Sequence, residues 1–310
     1  MRTARVAAQA KLNLMLRIVG READGYHRLS TLFQRIALAD DVTVRVGGEG
    51  RSLDCRGAEV GPVEKNLAWR AAAAFAEAAM WPGGWAIEID KHIPVGGGLG
   101  GGSADAAAVL RALNALAPTP LDDGVLAAIA LSLGADVPYL TSTLPLALGT
   151  GRGERLTALP TLPARAVLLL LPSFGVSSKE AFGWHAARRG DAPYTNAPLL
   201  FPAPLSWKIV EKLAANDLED AVFAHHPALR EIRETLAAVG ARIARMSGSG
   251  STVFGIFGDG DATGPSHAPS PARRVIPAGG DAAIGIDLEF LGCTALDTAT
   301  VTTVAPVELT

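Results

Sequence analysis

The sequence predicts a mixed α+β protein of two domains. Three observations carry that reading. Short apolar strand patterns are interleaved with alanine-rich runs at helical spacing, a run of glycines lies between a strand and a helix, and a break rich in Gly, Thr and Pro spans Gly149 to Pro163. At 310 residues, 49% hydrophobic and 19% charged, the chain is globular and long enough to bury a core in each half.

In residues 6–18, Leu12, Leu14, Leu16 and Ile18 fall on one side and Lys11, Asn13 and Arg17 on the other, the period of a half-buried strand. A turn-rich stretch from Gly20 to His27 and a mixed stretch to Ala39 lead to a second strand at Asp41–Val46. Lys65–Met80 reads as a helix, and Trp85–Asp90 as a strand that runs into the glycines. Ala106, Val109, Leu110, Leu113 and Leu116 then mark a helix, with Ser103 placed as its N-cap. Asp122 or Asp123 caps another that runs to Leu133 and stops at Gly134 as its C′ residue. Asp136 and Pro138 open a turn or a new helix.

Beyond the break the sequence predicts a strand at Ala166–Leu171, a helix at Ser177–Arg189, a pair of short helices within Pro198–Ala224 and a helix at Pro227–Val239. Strands at Arg242–Met246 and Thr252–Phe257 flank a second glycine turn, Ser247-Gly248-Ser249-Gly250-Ser251. From Asp259 the pattern changes. Pro265, Pro269, Pro271 and Pro277 oppose an amphipathic helix over 259–277, and Ala283–Leu291 is the stretch that could supply an edge strand.

The first glycine run, Pro94-Val95-Gly96-Gly97-Gly98-Leu99-Gly100-Gly101-Gly102-Ser103, is the strongest chemical signal. Glycine lets backbone N–H groups converge and lets an anion approach unobstructed, and the helix that follows adds unpaired donors and a positive dipole end. The loop is therefore expected to hold phosphate. It lacks the Lys-Ser/Thr that ends a P-loop. A dinucleotide fingerprint is formally present, but Pro118, Thr119 and Pro120 stand where its second strand belongs.

A net charge of -3 without a long basic run leaves no footprint for nucleic acid, so small-molecule partners are expected. Cys55 and Cys293 form neither a disulfide framework nor a zinc motif, which suits a reducing cytoplasm. Neither an export signal nor a membrane anchor is evident. His225-His226 lacks a partner at metal-ligand spacing. Lys11 and Asn13 project to one side of the first strand and could floor a site, although alone they read as exposed polar residues. Asp136 alone reads as a turn or cap residue, and Tyr26-His27 follow a turn that could present a ring and an imidazole to a ligand.

Taken together, the first strand with Lys11, the loop from Pro94 to Ser103 and the turn Met246–Thr252 resemble the GHMP kinase superfamily, in the same order along the chain. Ala10-Lys11-Leu12-Asn13-Leu14, Gly20–His27, Leu32-Phe33-Gln34 and Leu133–Pro138 resemble the branch acting on a cytidyl-diphosphate sugar alcohol; the likeness covers residues 5–258. The resemblance implies a ribosomal-protein-like N-terminal domain (1–160), a ferredoxin-like C-terminal domain (161–258) and an active site in the cleft between them. Residues 259–310 form an atypical tail that either completes the second domain or diverges from it. The implied cofactors are ATP and Mg²⁺, with no metal ligands assigned.

The resemblance further implies Asp136 as general base and Lys11 as its cationic partner, with ATP held by Asn66 and by Pro94, Val95, Gly96, Gly97, Gly98, Leu99, Gly100, Gly101, Gly102 and Ser103. The substrate would meet Asn13, Tyr26, His27, Phe182, Gly248 and Ser249, with Tyr26 and Phe182 sandwiching the cytosine. A kinase for another small alcohol and a non-catalytic ATP-binding sensor are the competing readings. The oligomeric state is open.

Overall fold

The structure is a computed structural model and describes residues 1–59, 61–81, 83–190, 192–194, 204–258, 274–277, 283–289 and 291–310. Two sheets organise it. The first is built on a long antiparallel pair, β1 (Arg2–Arg21) and β2 (His27–Val46), joined by a turn over residues 22–26. β3 (Arg51–Arg56) and β4 (Trp85–Asp90) extend it beyond β2, and β5 (Leu146–Gly151) with β6 (Arg155–Ala158) adds a hairpin on the other half of β2. The mixed stretch before Ala39 and part of the Gly/Thr/Pro-rich break are therefore strand.

Helix α1 (Leu67–Ala78) and α2 (Gly101–Leu116) cover this sheet, with α3 (Asp123–Leu133) and the short α4 (Val137–Thr141) beside them. Ala106, Val109, Leu110, Leu113 and Leu116 are all buried, as their spacing requires. Ser103 does not cap α2. The helix begins three residues earlier, with Gly100 at the N-cap, because the left-handed glycine already turns the chain into the helix. Asp122 caps α3 by accepting from the Val125 N–H, and Gly134 ends it in an extended rather than a left-handed conformation.

The second sheet has the order β13 (Cys293–Ala299), β7 (Ala166–Pro172), β10 (Val253–Ile256), β9 (Ile243–Met246), all antiparallel. Val167 and Leu169 face the first core, while Leu168 and Leu170 face a second core under α7 (Glu219–His225) and α8 (Ala228–Ala238). Burial on both faces explains why β7 is continuously apolar instead of alternating. The same holds for β1, which was expected to be half-buried. From Ala8 to Leu16 it is buried on both sides, because Leu12 and Leu14 enter the first core while the polar side faces loops of both halves of the chain.

Helix α5 (Ser178–Arg189) and α6 (Trp207–Leu213) match their sequence patterns; part of the stretch expected to hold the helix pair, 198–203, lies outside the described residues. A two-residue strand, β8 (Ala215–Asn216), runs parallel to β1. The expectation for residues 259–273 likewise lies outside the described residues. The edge strand is not Ala283–Leu291. Within it, β12 (Ala283–Ile286) pairs with β11 (Arg274–Pro277), and Cys293–Ala299 takes the edge of β7 instead. Its Ala295 and Leu296 alternate between the two cores, which the Thr- and Ala-rich composition hides. The chain then returns to the first sheet as β14 (Val307–Leu309), antiparallel to β1.

Leu296 is nearly inaccessible within the first core. Leu296→Ala is expected to cost about 2–5 kcal/mol in urea denaturation, the range for emptying a buried leucine site.

Candidate active site

The glycine loop, β1 and the second glycine turn meet around one ammonium group. Lys11 Nζ donates to Asn13 Oδ1 at 2.6 Å and to the Gly98 carbonyl at 2.9 Å, and lies 3.4 Å from Asp136 Oδ2. Two hydrogen bonds and one ion pair thus surround the buried ammonium group. Lys11 is 3% exposed, whereas a third of the Asp136 side chain remains open to an incoming molecule. Asp136 stands at the start of α4 but makes no capping hydrogen bond, so its carboxylate is directed to Lys11 and not to its own helix. Asn13 is fixed in turn, its Nδ2 donating to Thr31 Oγ1, which donates to the Met15 carbonyl.

The loop is shaped by glycines with left-handed φ at 96, 98 and 100, a conformation that L side chains resist. Leu99 between them is buried in the core and its carbonyl accepts the Lys11 N–H, while Val95 is exposed. Ser103 lies in the first turn of α2, where backbone N–H groups have no intrahelical partner. Opposite, Ser247 Oγ donates to the Gly98 carbonyl and the Thr252 N–H to the Gly97 carbonyl. A Cβ on Gly248 would stand 3.4 Å from Lys11 Nζ and from Asn13 Oδ1, so the second turn closes directly over the lysine. Asn216 holds that turn by donating to the Met246 and Gly248 carbonyls, and Ser249 Oγ shares a hydrogen bond with Ser178 Oγ of α5.

At the far end of the β1–β2 pair, His27 stacks on Phe182 with centroids 5.1 Å apart. Burial first, then the Arg21 and His185 charges, hold the imidazole below its ordinary range, and its buried Nε2 has no hydrogen-bond partner among the described residues. Tyr26 is exposed, and the Arg152 guanidinium lies 3.9 Å over its ring while also bonding Glu22 and Asp24. Asn66 caps α1 by accepting from the Ala68 N–H, beside a surface cleft lined by Leu53, Cys55, Ala58, Pro62 and Val63. Lys11, Asn13, Asp136, the loop and Gly248 thus converge, while His27 and Phe182 form a second station, Tyr26 packs under Arg152, and Asn66 stands at a third.

Three groups escaped the sequence reading. Arg35, opposite Lys11 in register, is fully buried and donates to the carbonyls of Tyr139, Leu140, Ser142 and Leu144, which fixes the end of the helix that starts with Asp136. Burial pushes its guanidinium down to about 10, still charged at neutral pH. Arg152 is the second. The third is a buried cluster beneath the loop, in which Lys91 Nζ bridges Asp40 and Asp105, the latter at 2.7 Å. Asp40 Oδ1 accepts the N–H groups of His92 and Ile93. One signal was available, because Asp105 is the only charge between Gly101 and Leu110, a stretch otherwise made of Gly, Ser, Ala, Val and Leu.

Among known proteins, the chain is similar to the GHMP kinases. The family model for the GHMP kinases N terminal domain matches residues 66–144, and that for the GHMP kinases C terminal matches residues 205–264. The 4-diphosphocytidyl-2-C-methyl-D-erythritol kinase of Moorella thermoacetica is 42% identical over 258 residues, which span 82% of this chain and 90% of that one. A crystal structure of 4-(cytidine 5'-diphospho)-2C-methyl-D-erythritol kinase superimposes with a TM-score of 0.68 at 39% identity, covering 81% of this chain and 89% of its own. The chain belongs to this kinase family. Homoserine kinase from Cytophaga hutchinsonii shares the fold, with a TM-score of 0.64 at 15% identity over 100% of this chain and 97% of its own. No helix among the described residues is long and apolar enough to cross a membrane.

A Cβ on Gly98 would collide with the Ser247 carbonyl oxygen, at a residue whose φ is +74°. Gly98→Ala is expected to cost roughly 1–3 kcal/mol in thermal denaturation, as overpacking does. Burial pushes the Asp105 carboxyl up to about 7, against the pull of Lys91 and with the repulsion of Asp40. A raised carboxyl favours the folded state while protonated, so this contribution is present below its ordinary value of 3.8 and is lost as pH rises through about 7. Urea midpoints of the wild type are expected to fall over that interval, and those of Asp105→Asn to fall less.

Proposed function

We propose that this protein transfers the γ-phosphoryl group of ATP to the 2-hydroxyl of 4-diphosphocytidyl-2-C-methyl-D-erythritol, in isoprenoid precursor synthesis by the non-mevalonate route. The observation that carries the reading is the Lys11–Asp136 pair set against the carbonyl of Gly98 in the glycine loop. An alcohol is a weak nucleophile until its proton has an acceptor. The open Asp136 carboxylate accepts it, the alcohol oxygen forms the new bond to the γ-phosphorus, and the bond to the bridging oxygen of ADP breaks. Lys11 neutralises charge on both the carboxylate and the phosphoryl group in transfer.

Backbone N–H groups from Gly96 to Ser103 hold the phosphates at the N-terminus of α2. Among the described residues no group of three His, Cys, Asp or Glu side chains is placed to hold a metal ion, and Mg²⁺ in this reading arrives with the nucleotide. Bound there, it would supply positive charge that offsets the charge of the phosphates. The cleft beside Asn66 takes the adenine. Asn13 would bind the sugar alcohol, with Gly248 and Ser249 closing over it from the second sheet's turn.

An elongated substrate with a base at one end and an alcohol at the other suits two stations on one strand pair. The base lies between Tyr26 and Phe182, and a neutral His27 reads its edge through the unpartnered Nε2. In that pose Phe182 leaves His27 for the base. Arg152 covers one face of Tyr26 and leaves the other for stacking. The division of the chain near residue 160 into ribosomal-protein-like and ferredoxin-like domains, and a cytoplasmic location, belong to the same proposal.

ADP release with ATP, Mg²⁺ and the cytidyl substrate tests the reading. Asp136→Asn is expected to lower kcat by roughly 10²–10⁴-fold, the span of general-base removal. Tyr26→Ala is expected to raise KM for the cytidyl substrate by about tenfold, at roughly 1–1.5 kcal/mol for a lost stacking partner, with KM for ATP unchanged. Turnover that is indifferent to the cytidyl group would point to another alcohol, and an Asp136→Asn enzyme as active as the wild type would remove the base assignment.

A further inference from the structure

The proposed transfer makes no use of the cluster beneath the loop. Asp40 comes from β2, Lys91 from the exit of β4 and Asp105 from the second turn of α2, so three separate elements meet in it. All three residues are at least nine-tenths buried. Buried ion pairs of this kind contribute little net stability over well-packed apolar residues. What they do supply is direction, since a hydrogen-bonded charge fixes an angle that an apolar contact leaves free.

The loop above needs such fixing. Between Ile93 and Gly101 it carries four glycines and one buried side chain of size, Leu99, so little within it sets its shape. Its entry is held by Asp40 Oδ1, which accepts the N–H groups of His92 at 2.5 Å and Ile93 at 2.8 Å. Its exit is held by Asp105, one helical turn beyond Gly101 and bonded to the same lysine. The two ends touch across the cluster, because a Cβ on Gly101 would stand 3.0 Å from Ile93 Cγ2 and 3.4 Å from Lys91 Nζ.

We propose that Asp40, Lys91 and Asp105 are positioning residues that set the separation of the loop's two ends, and with it the aim of the backbone N–H groups that take the ATP phosphates. The inference rests on the loop being the ATP site. The cluster acts through the loop and touches neither ATP nor the alcohol. Cys55, which faces the cluster from β3, is raised by burial first and then by the Asp105 charge, and takes no part in the bridge.

Calorimetric titration with ATP and Mg²⁺, without the alcohol, tests this on the full chain. Asp105→Leu removes the acceptor and is expected to weaken ATP binding by about tenfold or more, in line with the effect of misplacing a binding group by a fraction of an ångström. Asp105→Asn keeps an oxygen for Lys91 and is expected to restore affinity to within about threefold of wild type. KM for the cytidyl substrate should stay at its wild-type value in both.

A folded Asp105→Leu with wild-type ATP affinity would overturn the proposal. So would a parallel loss of ATP and cytidyl-substrate binding in step with melting temperature, which marks a merely structural role. Should the leucine variant not fold, Asp40→Ala, which removes the acceptor of both N–H groups, takes its place. It weakens the anchor of residues 92 and 93, and wild-type ATP affinity there would equally overturn the proposal. Failure of the wild type itself to bind ATP would instead sink the kinase reading on which the inference depends.

Discussion

A cation withdrawn from water must be surrounded by acceptors, and Lys11 places that demand at the centre of the molecule. It donates to Asn13 from its own strand and to the Gly98 carbonyl of the phosphate loop, and it pairs electrostatically with Asp136 at the start of α4. These partners are far apart in sequence, so satisfying one ammonium group brings together the elements that chemistry requires. The second glycine turn is drawn in by the same carbonyl, since Ser247 donates to Gly98 as Lys11 does.

Arg35 repeats the device one strand away. Its guanidinium is spent on the carbonyls at the end of α4, where a positive charge also complements the helix dipole. The carboxylate at the opposite end of that short helix is thus left free for Lys11. Stability and reactivity are divided between two neighbouring cations in register on β1 and β2. One is saturated by backbone and silent, and the other faces a carboxylate that is partly open to solvent.

Much of this was legible in the sequence because its signals are local. The glycine loop, the helix at 101–116 and the continuous strand at 166–172 each show themselves in a dozen residues or fewer beyond their bounds. Local signals failed where a residue's role depends on something distant. Ser103 looked like a cap because the cap that exists, Gly100, has no side chain. Nothing near Arg35 or Asp40 in sequence says that carbonyls from residues 139–144 or N–H groups from 92 and 93 await them. The strand at Cys293–Ala299 was missed because its small residues show a weak period, and its edge position is settled by the vacancy beside β7.

The return of the chain to β1 through β14 bears on how the molecule is made. β1 is made well before its neighbour β14, and the outer strand of the second sheet, β13, likewise comes from residues 293–309. Domains tend to form in order of synthesis, but here neither sheet can be completed until the far end of the chain has emerged. Until residues 293–309 are in place, β1 and β7 therefore each carry an open hydrogen-bonding edge, a template on which a strand of another chain can pair.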